Sequence, residues 1–114
     1  MKLVLKEEAI IHKNSDNCTA IEYETNDKDI NIACVEIRGR FPEKGLMTNT
    51  QCKELLYIVE GKGQLFINNK VVSLKKDDVI LIEPNEKYYW EGNLKVIPAC
   101  YPAWSIEQVK FFAE

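Results

Sequence analysis

Asparagine, aspartate, glycine and proline recur at short intervals along the chain and separate apolar-rich runs of about five to eight residues. Runs of this length are typical of β-strands and short for helices. Many short strands favour a sandwich or a closed barrel, because one open sheet would leave an apolar face and two edges uncovered. The sequence therefore predicts an all-β fold, with strands over 18–24, 30–38, 54–60, 64–67, 71–74, 79–82, 87–91 and 95–101.

The carboxyl-terminal segment carries the one helical signal. Ser105 precedes Gln108 by three residues, as in a capping box, and Ile106 and Val109 fall at helical spacing. This pattern predicts a short helix or turn. Two adjacent phenylalanines follow at 111–112, and we expect this tail to pack back on the barrel or on a second subunit.

Length and charge limit the classes of protein to which the chain can belong. With 114 residues it fits a single domain over 1–114, whose core we expect over about 30–104. A net charge of -3, from 15 basic and 18 acidic residues spread along the chain, leaves no basic patch for nucleic acid. Near the amino terminus only three consecutive apolar residues, at 3–5, stand between Lys2 and Lys6, and no run of about 20 apolar residues follows. We therefore expect a cytoplasmic protein with no membrane partner.

The four cysteines, at positions 18, 34, 52 and 100, contain no CxxC pair. Without a secretory signal, a disulfide framework lacks its usual compartment, and without short-range spacing a zinc site is not indicated. We expect free thiols that pack as small buried residues.

Two stretches in the middle of the chain form a recognisable pattern. Residues 54–63 read ELLYIVEGKG, residues 74–90 read LKKDDVILIEPNEKYYW, and an Asn68-Asn69 hairpin signal lies between them. Over about 39–104 the chain resembles a small single-domain cupin of the type 2, RmlC-like kind. The resemblance implies an antiparallel β-barrel or jelly roll. The first cupin motif has a glycine, a His-x-His pair, a glutamate three or four residues later and a glycine seven after that, and Glu54 and Gly61 match its last two positions.

The cupin resemblance also implies a metal site, but this chain lacks the histidines. In cupins, three histidines and one glutamate hold a divalent metal ion. The resemblance places the paired histidines at Met47 and Asn49, or at Thr48 and Thr50. The third falls on Tyr88 or Tyr89, depending on how the second motif is aligned. We prefer Tyr88, because Asn85 then takes the turn glycine's place and asparagine tolerates a left-handed conformation. The chain's one histidine, His12, lies far upstream and is expected on the surface. We therefore predict no metal and no cofactor.

The predicted site lies on the inward face of the barrel. Tyr88 and Trp90 share one face of their strand because strand side chains alternate, and the face that carries Glu54 lines the barrel interior. A buried carboxylate needs a partner, and desolvation raises its pKa. The predicted ligand-binding residues are Asn49, Cys52, Glu54, Tyr88 and Trp90, with Glu54 and Tyr88 as candidate catalytic residues. Further wall candidates are Leu56, Cys100, Tyr101 and Trp104.

These residues leave several functions open. The first hypothesis is a metal-independent pocket that binds a small polar or carbohydrate-like metabolite. The second is an isomerase or epimerase in which Glu54 and Tyr88 act as base and acid. A third is a divalent cation held by Glu54 with oxygens of Asn49 or Thr50, and a fourth is a purely structural domain. We also expect a homodimer, because cupins commonly pair through strands and terminal segments and the chain has apolar ends at 3–5 and 111–112.

Overall fold

The computed structural model describes residues 1–113, which form nine antiparallel strands and two single turns of 3-10 helix. The predicted all-β class is confirmed. Across the described residues, no helix is long and apolar enough to cross a bilayer. The strands are β1 (Ile10–Ser15), β2 (Cys18–Tyr23), β3 (Asn31–Phe41), β4 (Leu46–Asn49), β5 (Lys53–Ile67), β6 (Lys70–Lys75), β7 (Val79–Ile82), β8 (Tyr88–Tyr101) and β9 (Val109–Phe112), with 3-10 turns at Lys6–Glu8 and Ile106–Gln108.

All nine strands belong to one curled sheet. Strand β8 lies at its centre, because β3 pairs with one of its edges and β5 with the other over most of its length. The path β1-β2-β3-β8-β4-β9 is completed by β6 and β7, which pair with β5. The curl places one face of each long strand inside, where Ile37, Ile58, Leu65, Leu94 and Val96 form the centre of an apolar core.

Strands β5 and β8 are each longer than the sequence predicted. The sequence predicts turns in the gaps between strands at 61–63 and 92–94, where glycines occur, but both gaps lie inside continuous strands. Gly63 is paired with Gly92, and a Cβ atom on Gly92 would lie 2.5 Å from the Cα atom of Gly63. The prediction of turns was wrong because these glycines permit two backbones to approach closely, which is the other common reason for glycine in a strand. Strands β1 and β4 were also missed.

Asparagines form two of the predicted turns. Asn68 and Asn69 connect β5 to β6 with positive φ angles of 53° and 60°, as a two-residue hairpin of type I′ requires. Asn85 has a φ of 70° in the turn before β8. The left-handed conformation expected at Asn85 is therefore confirmed.

The carboxyl-terminal segment returns to the barrel, as expected. Strand β9 pairs with β4, so the prediction that the tail packs back is confirmed, although Phe111 remains 61% exposed. The predicted capping box does not form, because the Ser105 side chain makes no capping hydrogen bond. Val109, which falls at helical spacing from Ile106, begins strand β9 instead. Gln108 is buried instead, where its Oε1 accepts the Cys52 backbone N–H at 2.9 Å and its carbonyl accepts the Thr50 hydroxyl at 2.8 Å.

Candidate functional site

A cavity of about 610 Å³ opens into the interior of the barrel. This volume lies within the range of small-molecule sites. Its walls come from residues of β1 to β5 and of β8, from the loop between β2 and β3, and from the segment that follows β8. The side chains that matter for the chemistry are Asn49, Glu54, Leu56, Tyr88, Trp90 and Trp104.

A chain of hydrogen bonds crosses the cavity wall and ends on one carboxylate. The Trp104 indole N–H donates to Asn49 Oδ1 at 3.0 Å, and Asn49 Nδ2 donates to the Tyr88 hydroxyl at 3.3 Å. The Tyr88 hydroxyl donates in turn to Glu54 Oε1 at 3.2 Å, while the Cys100 thiol donates to Oε2 at 3.8 Å. Both oxygens of Glu54 therefore have donors, and the network orients the carboxylate.

Burial controls the protonation of this network. Glu54 is only 9% exposed, and desolvation raises its pKa from 4.5 to about 7, against the smaller lowering by the Tyr88 and Cys100 hydrogen bonds. Burial and the neighbouring Glu54 carboxylate raise the pKa of Tyr88 well above 10, so its hydroxyl stays protonated. Glu54 can thus give or accept a proton near neutral pH, whereas Tyr88 acts as a hydrogen-bond donor.

The two aromatics predicted to face inward do so. Tyr88 is 2% exposed and meets Trp90 edge-on, with ring centroids 6.3 Å apart. Tyr89 lies on the opposite face, stacked on Phe66 at 5.1 Å and covered by the Arg40 guanidinium at 3.9 Å. Strand alternation therefore selects Tyr88, and not Tyr89, for the cavity.

Cys52 differs from the other predicted site residues. Asn49, Glu54, Tyr88 and Trp90 line the cavity, whereas Cys52 is buried and does not line it. The interaction of the two neighbouring thiols lowers the pKa of Cys52, while the same interaction, burial and Glu54 raise the pKa of Cys100. All four cysteines are free thiols, as expected.

The further wall candidates separate in the same way. Leu56, Cys100 and Trp104 line the cavity, whereas Tyr101 is 62% exposed. Tyr101 points outward because it follows the inward-facing Cys100 on β8. Trp104 is held by Asn31 of β3, whose side chain accepts the Trp104 backbone N–H at 2.8 Å and donates to its carbonyl at 2.9 Å.

The first hairpin supplies wall residues that the sequence analysis missed. His12 of β1 has a 53% exposed side chain, as expected for a surface residue, but it also lines the cavity, with its Nε2 3.4 Å from Glu22 Oε1. A signal for Glu22 was available: it shares the period-two face of Cys18 and Ala20, both buried. No comparable signal marked His12, because β1 was not recognised as a strand.

The donors at the cupin metal position do not fit a histidine-bound metal ion. Met47 belongs to the apolar core, and Asn49 Oδ1 already accepts the Trp104 indole N–H. The Thr50 hydroxyl is directed to the Gln108 carbonyl. Within residues 1–113, no three His, Cys, Asp or Glu side chains are grouped so that they could hold a metal ion. The groups next to the Glu54 carboxylate are the Tyr88 phenol and the Cys100 thiol, with the Asn49 amide beyond Tyr88. This set lacks the imidazoles with which cupins bind metal ions.

Comparison with solved structures identifies the fold. Streptomyces Pac13, described as a unique nucleoside dehydratase, superposes with a TM-score of 0.87 at 18% identity, covering 99% of this chain and 92% of its own. Variants of Pac13 have been solved with uridine. An ectoine synthase from P. lautus gives 0.77 at 14% identity over 98% and 90% of the two chains. An RmlC-like cupin from Shewanella frigidimarina gives 0.69 at 13% identity over 87% and 88%. The chain has the cupin fold, and the expected cupin-type jelly roll is confirmed.

Sequence comparison matches shorter stretches. A family model described as the AraC-like ligand binding domain matches residues 53–91, from the start of β5 into β8. An uncharacterized protein of Methanocaldococcus jannaschii is 36% identical over 62 residues, which is 51% of this chain. The chain spans 50% of the length of that relative.

Proposed function

We propose that this cupin-fold chain binds a small, polar, carbohydrate-like organic molecule in its barrel cavity without a bound metal ion. The observation that carries the proposal is the convergence of Glu54, Tyr88 and Asn49 on one side of a cavity of about 610 Å³ that also contains Trp90 and an indole N–H. A few placed polar groups beside flat apolar rings are typical of sites that orient small polar ligands.

Ribonucleosides are the first ligands to test. They combine a flat ring with a polyhydroxylated sugar, which suits an aromatic wall next to a carboxylate and a phenol. Pac13, with which this chain shares its fold, is described as a nucleoside dehydratase, and its variants were solved with uridine. The fold alone does not carry that activity over, so the proposal depends on the side chains of this cavity.

The test is ligand-observed NMR of the purified protein with uridine, cytidine, ribose and glucose, together with mass spectrometry of compounds released on denaturation. We expect at least one of these molecules to bind with a dissociation constant of about 1 mM or tighter. An Ala33→Trp variant, which places a large side chain on the cavity wall, should abolish the signal, whereas Thr19→Trp on the same sheet should not. Absence of binding by all four compounds and of any released compound would contradict the proposal, as would stoichiometric iron, zinc or manganese in elemental analysis.

A second function, acid–base catalysis without a metal, is favoured by the pKa of Glu54. Desolvation raises that pKa to about 7, where a carboxyl group can take a proton from carbon and return it at neutral pH. The Tyr88 hydroxyl, 3.2 Å from Oε1, would stabilise negative charge on a neighbouring substrate oxygen. An isomerase or epimerase of this kind would exchange a substrate C–H for deuterium in D₂O. Glu54→Gln should stop the exchange and leave binding of the same compound within about threefold.

We propose a homodimer through the outer face of β5 and β7, rather than through the apolar ends alone. Leu55 is paired with Leu81 and Tyr57 with Val79, and all four residues are about half exposed. Such a continuous apolar face is unusual on a monomer and suits face-to-face packing of two sheets. We expect a dimer mass by light scattering, and a monomer for Leu81→Lys. A monomeric wild-type protein at about 100 µM would refute this proposal.

A further inference from the structure

Carboxylates outnumber basic groups in the wall of the cavity. Glu22, Glu24, Asp27 and Glu54 all line it, and His12 is the one basic side chain that does so within residues 1–113. Lysines and arginines make up 15 of the 114 residues, yet none of those in the described chain contributes to this wall. The wall therefore differs in charge from the rest of the protein surface, where both signs are mixed.

The carboxylates lie on two sides of the same space. Glu22 is paired with Ala33, and the same row continues through Pro98 to Leu56, all of which line the cavity. Strands β2 and β5 are separated by β3 and β8, so Glu22 and Leu56 lie about 14 Å apart along the curled sheet at about 4.8 Å per strand, and Glu54 lies two residues before Leu56 on β5. A ligand inside the barrel is therefore flanked by carboxylates from β2 and from β5.

Basic groups compensate only part of this charge. His12 lies 3.4 Å from Glu22 and can neutralise one carboxylate when it is protonated. Asp27 accepts the backbone N–H groups of Asp29 at 2.8 Å and Ile30 at 3.2 Å, and the charge of Lys2 acts on it weakly from outside the cavity. Within residues 1–113, Glu24 has no basic partner in the wall, and Glu54, whose pKa is raised to about 7, adds its charge as the pH rises through neutrality. An anion that enters meets repulsion from several directions, and this repulsion is stronger in a recess than in open water.

We infer that the cavity selects uncharged or cationic ligands and excludes those that carry a phosphate or carboxylate group. The inference rests on the proposed function, and it narrows the ligand class to nucleosides, neutral sugars and amines, as opposed to nucleotides, sugar phosphates and sugar acids. His12 and Glu22 then form a polar contact at the opening, complementary to the Glu54 and Tyr88 pair inside. A hydroxyl-rich or amine-bearing end of the ligand suits both contacts.

Thiol labelling measures the sign of the potential in the cavity without any ligand. Two methanethiosulfonate reagents of similar size, one bearing a trimethylammonium group and one a sulfonate group, react with the same thiolate. The cysteine sulfur forms a disulfide with the reagent's thioalkyl group, methanesulfinate leaves, and the thiol proton passes to the buffer. Because one thiolate meets both reagents, the ratio of the two rates is independent of the pKa of that thiol.

Neighbouring positions on β3 provide a matched pair of labelling sites. Ala33 lines the cavity, whereas Cys34 does not. The charges that act on the Cys34 thiol are one of each sign, from Lys95 and Glu36. The variant Ala33→Cys/Cys34→Ala moves the thiol by one residue, from the outer face to the cavity. Trypsin releases residues 29–38, which contain a single cysteine in both proteins, so mass spectrometry reads each site separately.

We expect the ratio of cationic to anionic labelling rates in the cavity to exceed that at Cys34 by about tenfold or more in low salt. The substitutions Glu22→Gln, Glu24→Gln and Asp27→Asn together should bring the two ratios within about threefold of each other. Equal ratios at Cys34 of the wild type and at the cysteine of the Ala33→Cys/Cys34→Ala variant, or a preference for the anionic reagent in the cavity, would overturn the inference.

A binding comparison separates the two proposals. Uridine should bind at least about tenfold more tightly than uridine 5′-monophosphate, and the triple substitution should reduce that difference. Binding of the monophosphate as tightly as uridine would overturn the charge selection and leave the proposed function intact. If the cationic reagent is strongly preferred in the cavity but no uncharged compound binds, the proposed function is overturned. The inference that the potential in the cavity is negative would then stand.

Discussion

Replacing Glu54 with glutamine tests whether the carboxylate is destabilising in the folded protein. Burial raises its pKa from 4.5 to about 7, so the folded state binds the proton more tightly than the unfolded state does. Stability should therefore fall as pH rises from 4.5 to 7 and change no further from this cause outside that window. At about 1.4 kcal/mol for each pH unit, the loss amounts to about 3 kcal/mol. Glutamine keeps the shape and the acceptor for Tyr88 but carries no charge.

Urea denaturation of wild type and Glu54→Gln at about pH 4 and pH 8 measures this effect. The stability of the variant relative to wild type should increase by about 3 kcal/mol between the two pH values, and any fixed cost of the substitution cancels in this comparison. Glu60→Gln, at an exposed position on the same strand, serves as the control and should show no such change. A relative stability that varies by less than about 1 kcal/mol would refute the assignment of Glu54 as a desolvated carboxylate.

Three further substitutions test the network and the fold. Tyr88→Phe removes a hydrogen bond that lowers the Glu54 pKa, so the carboxyl titration observed by ¹³C NMR should move to higher pH; a move to lower pH would contradict the network. Gln108→Ala leaves a buried backbone N–H without its acceptor and should cost about 1–3 kcal/mol in urea denaturation, whereas Glu107→Ala, at an exposed position, should cost less than about 0.5 kcal/mol. Gly92→Ala should destabilise by more than about 3 kcal/mol, because φ is 134° and the new methyl group would clash with the opposite backbone; an unchanged melting temperature would show that the two strands are not so close.

Local patterns predicted the strands with good accuracy where turn residues flank them. The alternation in β8 placed Tyr88 and Trp90 on one face, and the asparagine turn at 68–69 follows directly from the ability of that residue to adopt positive φ. The same reasoning failed at Gly61 and Gly92, where glycine serves close backbone contact. A single sequence does not distinguish a glycine that ends a strand from one that lets two strands approach, since both need the missing Cβ.

The candidate site was predicted only along individual strands. Glu54, Asn49 and Tyr88 were identified from the positions of the cupin motifs, and Trp90 from its alternation with Tyr88. His12 and Glu22 were not predicted to line the cavity, because they lie on the β1–β2 hairpin, outside the region of the cupin motifs. Their place in the wall depends on where β2 lies in the sheet, and pairing between distant strands leaves no local pattern in a sequence.

The sequence by itself determined the all-β class and the two faces of each recognised strand, because period-two alternation and turn chemistry act within a few residues. Its resemblance to cupins implied that one acid, Glu54, lies on an inward face. The tertiary structure alone decided which side chains meet that acid. The partners in the network are separated by 34, 39 and 55 residues along the chain, and only the curl of the sheet brings them within hydrogen-bonding distance. The same curl brings the carboxylates of β2 and β5 around one cavity, and so determines the charge that a ligand would meet there.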